Sequence, residues 1–200
     1  METKPRAKPL PPEERRHAIV EAVIPLVVEQ GANVTTSTIA EAAGIAEGTI
    51  FRVFPDKSSL LLEALRTAFD PAPTLDQLAR IEQDLPFEIK LRKAAAIIIQ
   101  RAERVHAVAA ALRTLPPPDR PSHERAHKAA IEANSLILWG LTRMFENEAD
   151  GLAVKPARAA AAFRGLLHAV SFPLCDPSEL ITAEEAIDVL LHGVSSKETH

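Results

Sequence analysis

Two groups of residues in this chain have types and spacings that could do chemistry. The first is His123-Glu124-Arg125-Ala126-His127. On a helix, histidines four residues apart share a face and could hold a zinc ion, with Glu124 as general base toward a bound water. That would be metal-dependent hydrolysis. The second group lies in TTSTIAEAAGIAEGTIFRVFPDK, residues 35–57. It holds the hydroxyls of Thr35, Thr36 and Ser37, then Glu47, Gly48, Thr49, Phe51 and Arg52, and finally Lys57. Hydroxyls and backbone N–H groups at a helix start can hold a phosphate. An outward Arg52 could pair with guanine, and Thr49 could touch a thymine methyl. That would be recognition of double-stranded DNA.

The two groups differ in what can position them. Ile39, Ala42 and Ala43 recur at helical spacing and stop at Gly44, which supplies the backbone freedom of a tight turn. A second short helix over 46–53 carries Thr49 and Arg52 outward, with Ile45, Ile50 and Phe54 facing back. Pro55 ends it and Asp56 can cap the next helix. This reads as a helix-turn-helix. The histidine pair instead follows a proline-rich loop, at the fraying start of a helix that Ser122 is expected to cap. Its downstream acids are Glu132, Glu146 and Glu148. On a continuous helix Glu146 lies about 28 Å from His127 at about 1.5 Å per residue. Position disfavours zinc.

The order Thr35, Ile39-Ala40-Glu41-Ala42-Ala43-Gly44, Gly48-Thr49-Ile50, Phe54-Pro55 and Lys57 resembles the DNA-binding domain of TetR/AcrR-type transcriptional regulators, over roughly 12–69. The resemblance implies an operator-binding N-terminal domain, a C-terminal helical domain that takes a small-molecule effector, and a homodimer formed through the last two helices. It implies that a helix over 57–69 connects the domains and carries the allosteric signal. Lys57 would then reach a phosphate. Ala46 stands where the family more often has serine, a lost cap that costs about 1 kcal/mol. Phe51 stands where relatives often have tyrosine, so it can contact sugar or methyl groups but not donate to phosphate.

Composition sets outer bounds. The chain is 46% apolar and 25% charged, ordinary for a soluble globular protein. No run of about eighteen apolar residues marks a membrane span, and the N-terminus has no apolar core like that of a signal peptide. A single cysteine, Cys175, excludes an intrachain disulfide and suits a reducing compartment, so the expected location is cytoplasmic. Cys175 itself reads as a packing residue of a loop. Residues 1–69 hold eight Lys/Arg against nine Asp/Glu, a net of −1. Overall charge therefore gives DNA binding no support, although affinity follows local phosphate contacts.

The remaining chain is patterned as helices throughout, with no strand alternation, so the expected class is all-α. Residues 1–11 form a basic arm in which Lys4, Arg6 and Lys8 could follow a DNA backbone or enter a minor groove. A helix over 12–30 buries Ile19, Val23, Leu26 and Val27, with Pro25 inside it. Asp70-Pro71-Ala72-Pro73 breaks the chain, giving expected domains at 12–70 and 74–195. Thr74 with Gln77 reads as a capping box for a short helix to about 81. A helix over 86–115 shows a stripe, Leu91, Ala95, Ile98, Ala102, Val105, Ala109 and Leu112, alternating four and three. Another, over 123–148, is apolar nearly all round its middle. Helices over 156–172 and from Thr182 onward supply Ala161, Gly165, Ile187, Leu190 and Val194 as the expected dimer face.

Candidate effector-pocket residues are the large or polar side chains expected on buried faces: Ile97, Arg101, Trp139, Arg143, Met144, Phe163 and His168. An apolar pocket with a polar anchor suits a lipophilic ligand. The sequence implies no cofactor and no resident metal. Its reading is a ligand-responsive DNA-binding regulator, in the repressor mode usual for the resemblance, on a roughly palindromic operator. Two alternatives stand beside it: a metal-dependent hydrolase through His123 and His127, and a helical interaction module that no longer binds DNA.

Overall fold

The structure is a computed structural model that describes residues 11–116, 120–171 and 181–193, the side chain of His123 excepted. The described residues are helical, without strands: α1 (Pro12–Gln30), α2 (Thr36–Ala42), α3 (Glu47–Val53), α4 (Lys57–Phe69), α5 (Ala72–Ala79), α6 (Phe87–Arg113), α7 (Arg120–Glu146), α8 (Pro156–Ser171) and α9 (Ala183–His192). They group into two compact units. One takes the chain to Ala68 together with the end of α6 from His106; the other takes Phe69–Val105 and the chain from α7 onward.

The first unit is built around α1. Pro12 opens this helix, where its missing N–H costs nothing, and Gly31 closes it at φ 61°. Its buried stripe is Ile19, Val20, Val23, Ile24 and Val27; Leu26, expected in the stripe, is only half-buried. Helices α2 and α3 pack against it, and Ile39, Ala40, Ile50 and Phe54, with Leu60, Leu61 and Ala64 of α4, are all nearly solvent-free. Burying one such side chain is worth about 1.5–3 kcal/mol. Pro25 sits inside α1 on its exposed side.

In the second unit α7 and α8 form the main pair, with α9 against α8 and α5 against α7. Phe145 is the hub. Its ring meets Phe87 edge-on at 5.2 Å and Phe163 at 5.9 Å, all within one cluster with Leu91, Ile98, Leu141 and Leu167. Gly140 lets α5 come close: a Cβ there would lie 2.6 Å from Leu75 Cδ2. Lys90, almost fully buried, pairs with Glu148 at 2.7 Å and so ties α6 to the turn after α7. Arg92 pairs with both Glu88 and Glu184, linking α6 to the first turn of α9.

Several local expectations change. The short helix starts before Thr74: prolines at 71 and 73 set the first-turn backbone, the Asp70 carboxylate accepts the Ala72 N–H at 3.0 Å, and Thr74 is buried within the helix. Helix α7 likewise begins at Arg120, which places Ser122 inside its first turn, where its hydroxyl accepts from Arg125. The stripe on α6 also shifts. Leu91, Ala95, Ile98 and Val105 are buried as expected, but Val108 and Ala111 are buried in place of Ala109 and Leu112, and Arg101 in place of Ala102. The buried face keeps the four-and-three alternation but in the register Ala94, Ile98, Arg101, Val105 and Val108, which apolar spacing does not separate from the expected one because Ala94 and Val108 are apolar too. The middle of α7 is not covered all round: Ile131, Leu136 and Trp139 are exposed.

Cap chemistry supplies a test. The Asp56 carboxylate accepts the Ser59 N–H at 2.7 Å at the start of α4. That N–H, then the Ser59 hydroxyl, holds its pKa below the ordinary value of 3.8, with burial opposing and the Ser58 N–H adding. A depressed carboxylate pKa stabilises the fold at all pH above the unfolded value, and the gain disappears as pH falls through the folded one. Asp56→Ala should cost about 1 kcal/mol at neutral pH. In urea melts the gap between variant and wild type should close below about pH 4.

Candidate nucleic-acid interface

The turn between α2 and α3 fixes the surface. Gly44 sits at φ 66°. Its N–H donates to the Glu41 carbonyl at 3.0 Å while the Ile45 N–H reaches the Ala40 carbonyl at 2.9 Å. This pair of bonds is a Schellman ending, and it needs a left-handed residue where only glycine is free of Cβ strain. At the other end of α2, the Thr35 hydroxyl accepts the Thr38 N–H at 3.1 Å and touches the Thr38 hydroxyl at 2.8 Å. Helix α3 starts at Ala46 without a side-chain cap.

These caps leave one face of α3 in solvent. Glu47, Gly48, Phe51 and Arg52 are exposed and Thr49 half-exposed, while Ile50 and Phe54 anchor the inner face. Phe51 is 52% exposed, a large apolar ring half open to solvent. Arg52 has no hydrogen-bond or ion-pair partner among the described residues. Gly48 has no atom within 4 Å of where a Cβ would stand, so nothing inside the protomer requires a glycine there.

Other expected contacts are engaged inside the unit. Thr36 donates to the Glu47 carboxylate at 2.5 Å, clasping the start of α2 to that of α3. Glu47 is thus held as an acceptor, and Ser37 stays exposed beside it. Lys57 donates to the Ala32 carbonyl at 3.0 Å, using one of its three protons and leaving two for a phosphate. Arg16 has a role that the sequence alone does not disclose. Its guanidinium donates to the Val53 carbonyl at 3.3 Å, pairs with Glu63 at 3.4 Å and lies 4.4 Å over the Phe54 ring. It therefore closes the C-terminal end of α3 against α4. Lys4, Arg6 and Lys8 lie outside the described residues.

In the second unit the expected pocket residues do not gather around one space. Phe163 is in the core, Met144 and Ile97 are half-buried, and Arg101 is buried. Trp139, Arg143 and His168 are on the surface instead of a buried face; Trp139 is 58% exposed, with the Arg143 guanidinium 5.6 Å over its ring. The physical reason is that α7 packs against α8 and α5 on one side and carries more apolar residues than that side can cover. A cavity of about 880 Å³ lies between α8, α9 and the segment 145–154, lined by Phe87, Leu152, Val154, Leu166 and Leu190 with Asn147 and Asp150 among its polar groups. Ile97 instead borders a smaller hollow with Arg80 and Lys93.

Of the expected dimer residues, Ala161 and Gly165 are exposed on α8 and Leu190 is half-buried. Ile187 is 1% exposed and packs inside its own protomer, so it has no surface to offer a partner. Val194 and Cys175 lie outside the described residues. Glu124 of the zinc-like sequence pairs with Arg120 at 2.8 Å, and no group of three potential metal ligands occurs among the described residues. No described helix is long and apolar enough to cross a membrane.

If α3 reads DNA, the open space at Gly48 is where the duplex comes close. Gly48→Ala should keep or raise the melting temperature, because alanine is the better helix former by about 1 kcal/mol. DNA binding by the same variant should weaken about tenfold, or about 1.4 kcal/mol. Thermal melts and fluorescence anisotropy on one preparation check both halves.

Comparison with known proteins agrees with this geometry. The sequence model for bacterial regulatory proteins of the tetR family matches residues 19–64, the stretch from α1 through most of α4. Among solved structures, a TetR transcriptional regulator from Streptomyces coelicolor is 24% identical, with 91% of this chain and 99% of that one aligned at a TM-score of 0.59. The fatty acid degradation regulator FadR from Bacillus halodurans is 18% identical over 94% and 98% of the two chains, TM-score 0.58. A TetR/AcrR-family regulator from Thermobifida fusca is 19% identical over 92% and 100%, TM-score 0.57. These likenesses show a shared fold along nearly the whole chain, and the family match falls on the helix-turn-helix whose outer face is open. Residues 19–64 thus match the tetR family of bacterial regulatory proteins, and the chain is a DNA-binding transcriptional regulator.

Proposed function

We propose that this regulator acts as a homodimeric repressor that reads a roughly palindromic operator and is released by a small-molecule effector. The observation that carries the DNA-reading part is the outer face of α3, where Gly48, Thr49, Phe51 and an unpaired Arg52 stand clear of the protomer's other described residues. In this reading Arg52 and Thr49 touch base edges, and Phe51 packs on sugar or thymine methyl groups. Thr35, Thr36, Ser37 and Lys57 hold phosphates, and Glu47 positions α2 against α3. The basic arm with Lys4, Arg6 and Lys8 adds backbone contacts. Two copies place their α3 helices in successive major grooves about 34–36 Å apart.

The dimer in this proposal uses the α8 and α9 surface around Ala161, Gly165 and Leu190. Gly165 supports it, since no protomer atom lies within 4 Å of its Cβ position and a second helix could approach closely there. The effector is taken by the second unit and favours a conformer that binds the operator less well. Its leverage equals its difference in affinity for the two states.

The test is anisotropy with DNA from the gene's own upstream region and from genome-wide fragments, titrated with salt against a scrambled competitor. Specific binding should weaken steeply with salt. Arg52→Ala should cost about 1–3 kcal/mol on the specific site with little change on the competitor. Equal binding of wild type and Arg52→Ala to every fragment would remove the DNA-reading role of this face.

A further inference from the structure

The second unit holds two guanidinium groups whose Nε atoms are buried without an acceptor among its described groups. Arg101 of α6 is 7% exposed. One of its terminal nitrogens donates to the Phe69 carbonyl at 2.9 Å, and its guanidinium lies 5.9 Å over the Phe69 ring. Its Nε, however, is shut off from solvent with no acceptor, and so is the Nε of Arg104. Arg104 is half-buried as a residue, and it has no hydrogen-bond or ion-pair partner among the described residues. The two residues are three apart on one helix and so share a face.

Their surroundings add to the imbalance. Arg164 of α8 is close enough to repel Arg101, and the acid that acts on Arg101 is Asp70. Asp70 already accepts the Ala72 N–H, and Arg164 donates to the Asn134 carbonyl at 2.9 Å. Among the described residues, two guanidiniums and one partly engaged carboxylate thus act on Arg101. Burial first, then Arg104, holds the Arg101 pKa below its ordinary value; Asp70 opposes this and Arg164 adds to it. Closing the end of α4 accounts for one nitrogen of Arg101. It does not account for Arg104. A buried cationic donor without an acceptor is costly, and an anion with two oxygens matches what guanidinium Nε–H and Nη–H groups present.

We infer that Arg101 and Arg104 form an oxyanion site, and that the effector of this regulator carries a carboxylate or phosphate group that docks there. The assignment rests on the effector reading above for its regulatory consequence, but the binding does not. Ile98, one turn before Arg101, belongs to the same apolar cluster as Phe163 and Leu167. An acid with a hydrocarbon body would therefore meet apolar surface beside its charge.

The experiment is calorimetric titration of the full-length protein with inorganic phosphate, sodium decanoate and decanol, repeated with Arg104→Met. Decanoate binding without decanol binding marks an amphipathic acid; phosphate binding alone marks an inorganic anion, and either supports the site. In both cases Arg104→Met should weaken the anion at least tenfold. The unliganded variant should melt no lower than wild type, because removing Arg104 relieves its repulsion with Arg101, whereas a structural arginine would lower the melting point. No binding of either anion, decanol binding as well as decanoate, or unchanged affinity in Arg104→Met would overturn the inference. Operator binding without any anion tests the regulator reading separately. If operator binding fails while decanoate still binds, the proposed function falls and the site stands. If the operator is bound and neither anion is, the site falls and the proposed function stands.

Discussion

The DNA-facing surface depends on a single backbone constraint, the left-handed Gly44 between α2 and α3. Its two reversed hydrogen bonds end α2 within one residue and turn the chain so that Ile50 and Phe54 drop into the core built on α1. Because those two side chains are anchored, the opposite face of α3 is held out. The exposed Phe51 and the unpaired Arg52 are consequences of that turn. A Cβ at position 44 would have to adopt a conformation that L-residues avoid, so the geometry is specified by backbone sterics before any side chain is considered.

Charge in this unit is organised by use rather than by amount. The balance is near neutral, and two of the cations that a count would assign to DNA are engaged within the protein. Arg16 closes the end of α3 and packs on Phe54, and Lys57 holds the Ala32 carbonyl. Both keep the recognition helix in place. What remains for a partner is local: Arg52 on α3, the two remaining protons of Lys57 and the threonine-rich start of α2. This is how a domain without net positive charge can still present a phosphate-binding surface, since affinity follows the contacts made and not the total.

The second unit shows how a small geometric error in reading a sequence can hide a site. A stripe alternating four and three along α6 points to Ala102 as the inward residue. The buried face takes the alternative register Ala94, Ile98, Arg101, Val105 and Val108, which brings Arg101 inward and buries the Nε of Arg104 one turn later. Two guanidiniums on that face are invisible to an apolar pattern, because the pattern counts only apolar residues. Similarly, the composition of α7 reads as a helix surrounded on all sides, yet its neighbours α8 and α5 cover one side and leave Trp139 in water.

The sequence by itself determined the helices, their main ends and the DNA-reading motif. Gly44, Thr35, Asp56, the Thr182–Glu185 capping box and the apolar spacings act over one or two turns, and forces of that range can be read along a chain. The first turn of α5 escapes such a reading because prolines 71 and 73 and Asp70 outcompete Thr74 as a start signal. Only the tertiary structure decided which charges are engaged, which small residue is in a close contact, and that Arg101 is buried. Arg16 meets Val53 and Glu63 across 37 and 47 residues of sequence, and Gly140 meets Leu75 from a different helix. Such pairings depend on how helices pack, and packing selects partners by shape at distances along the chain that no local spacing records.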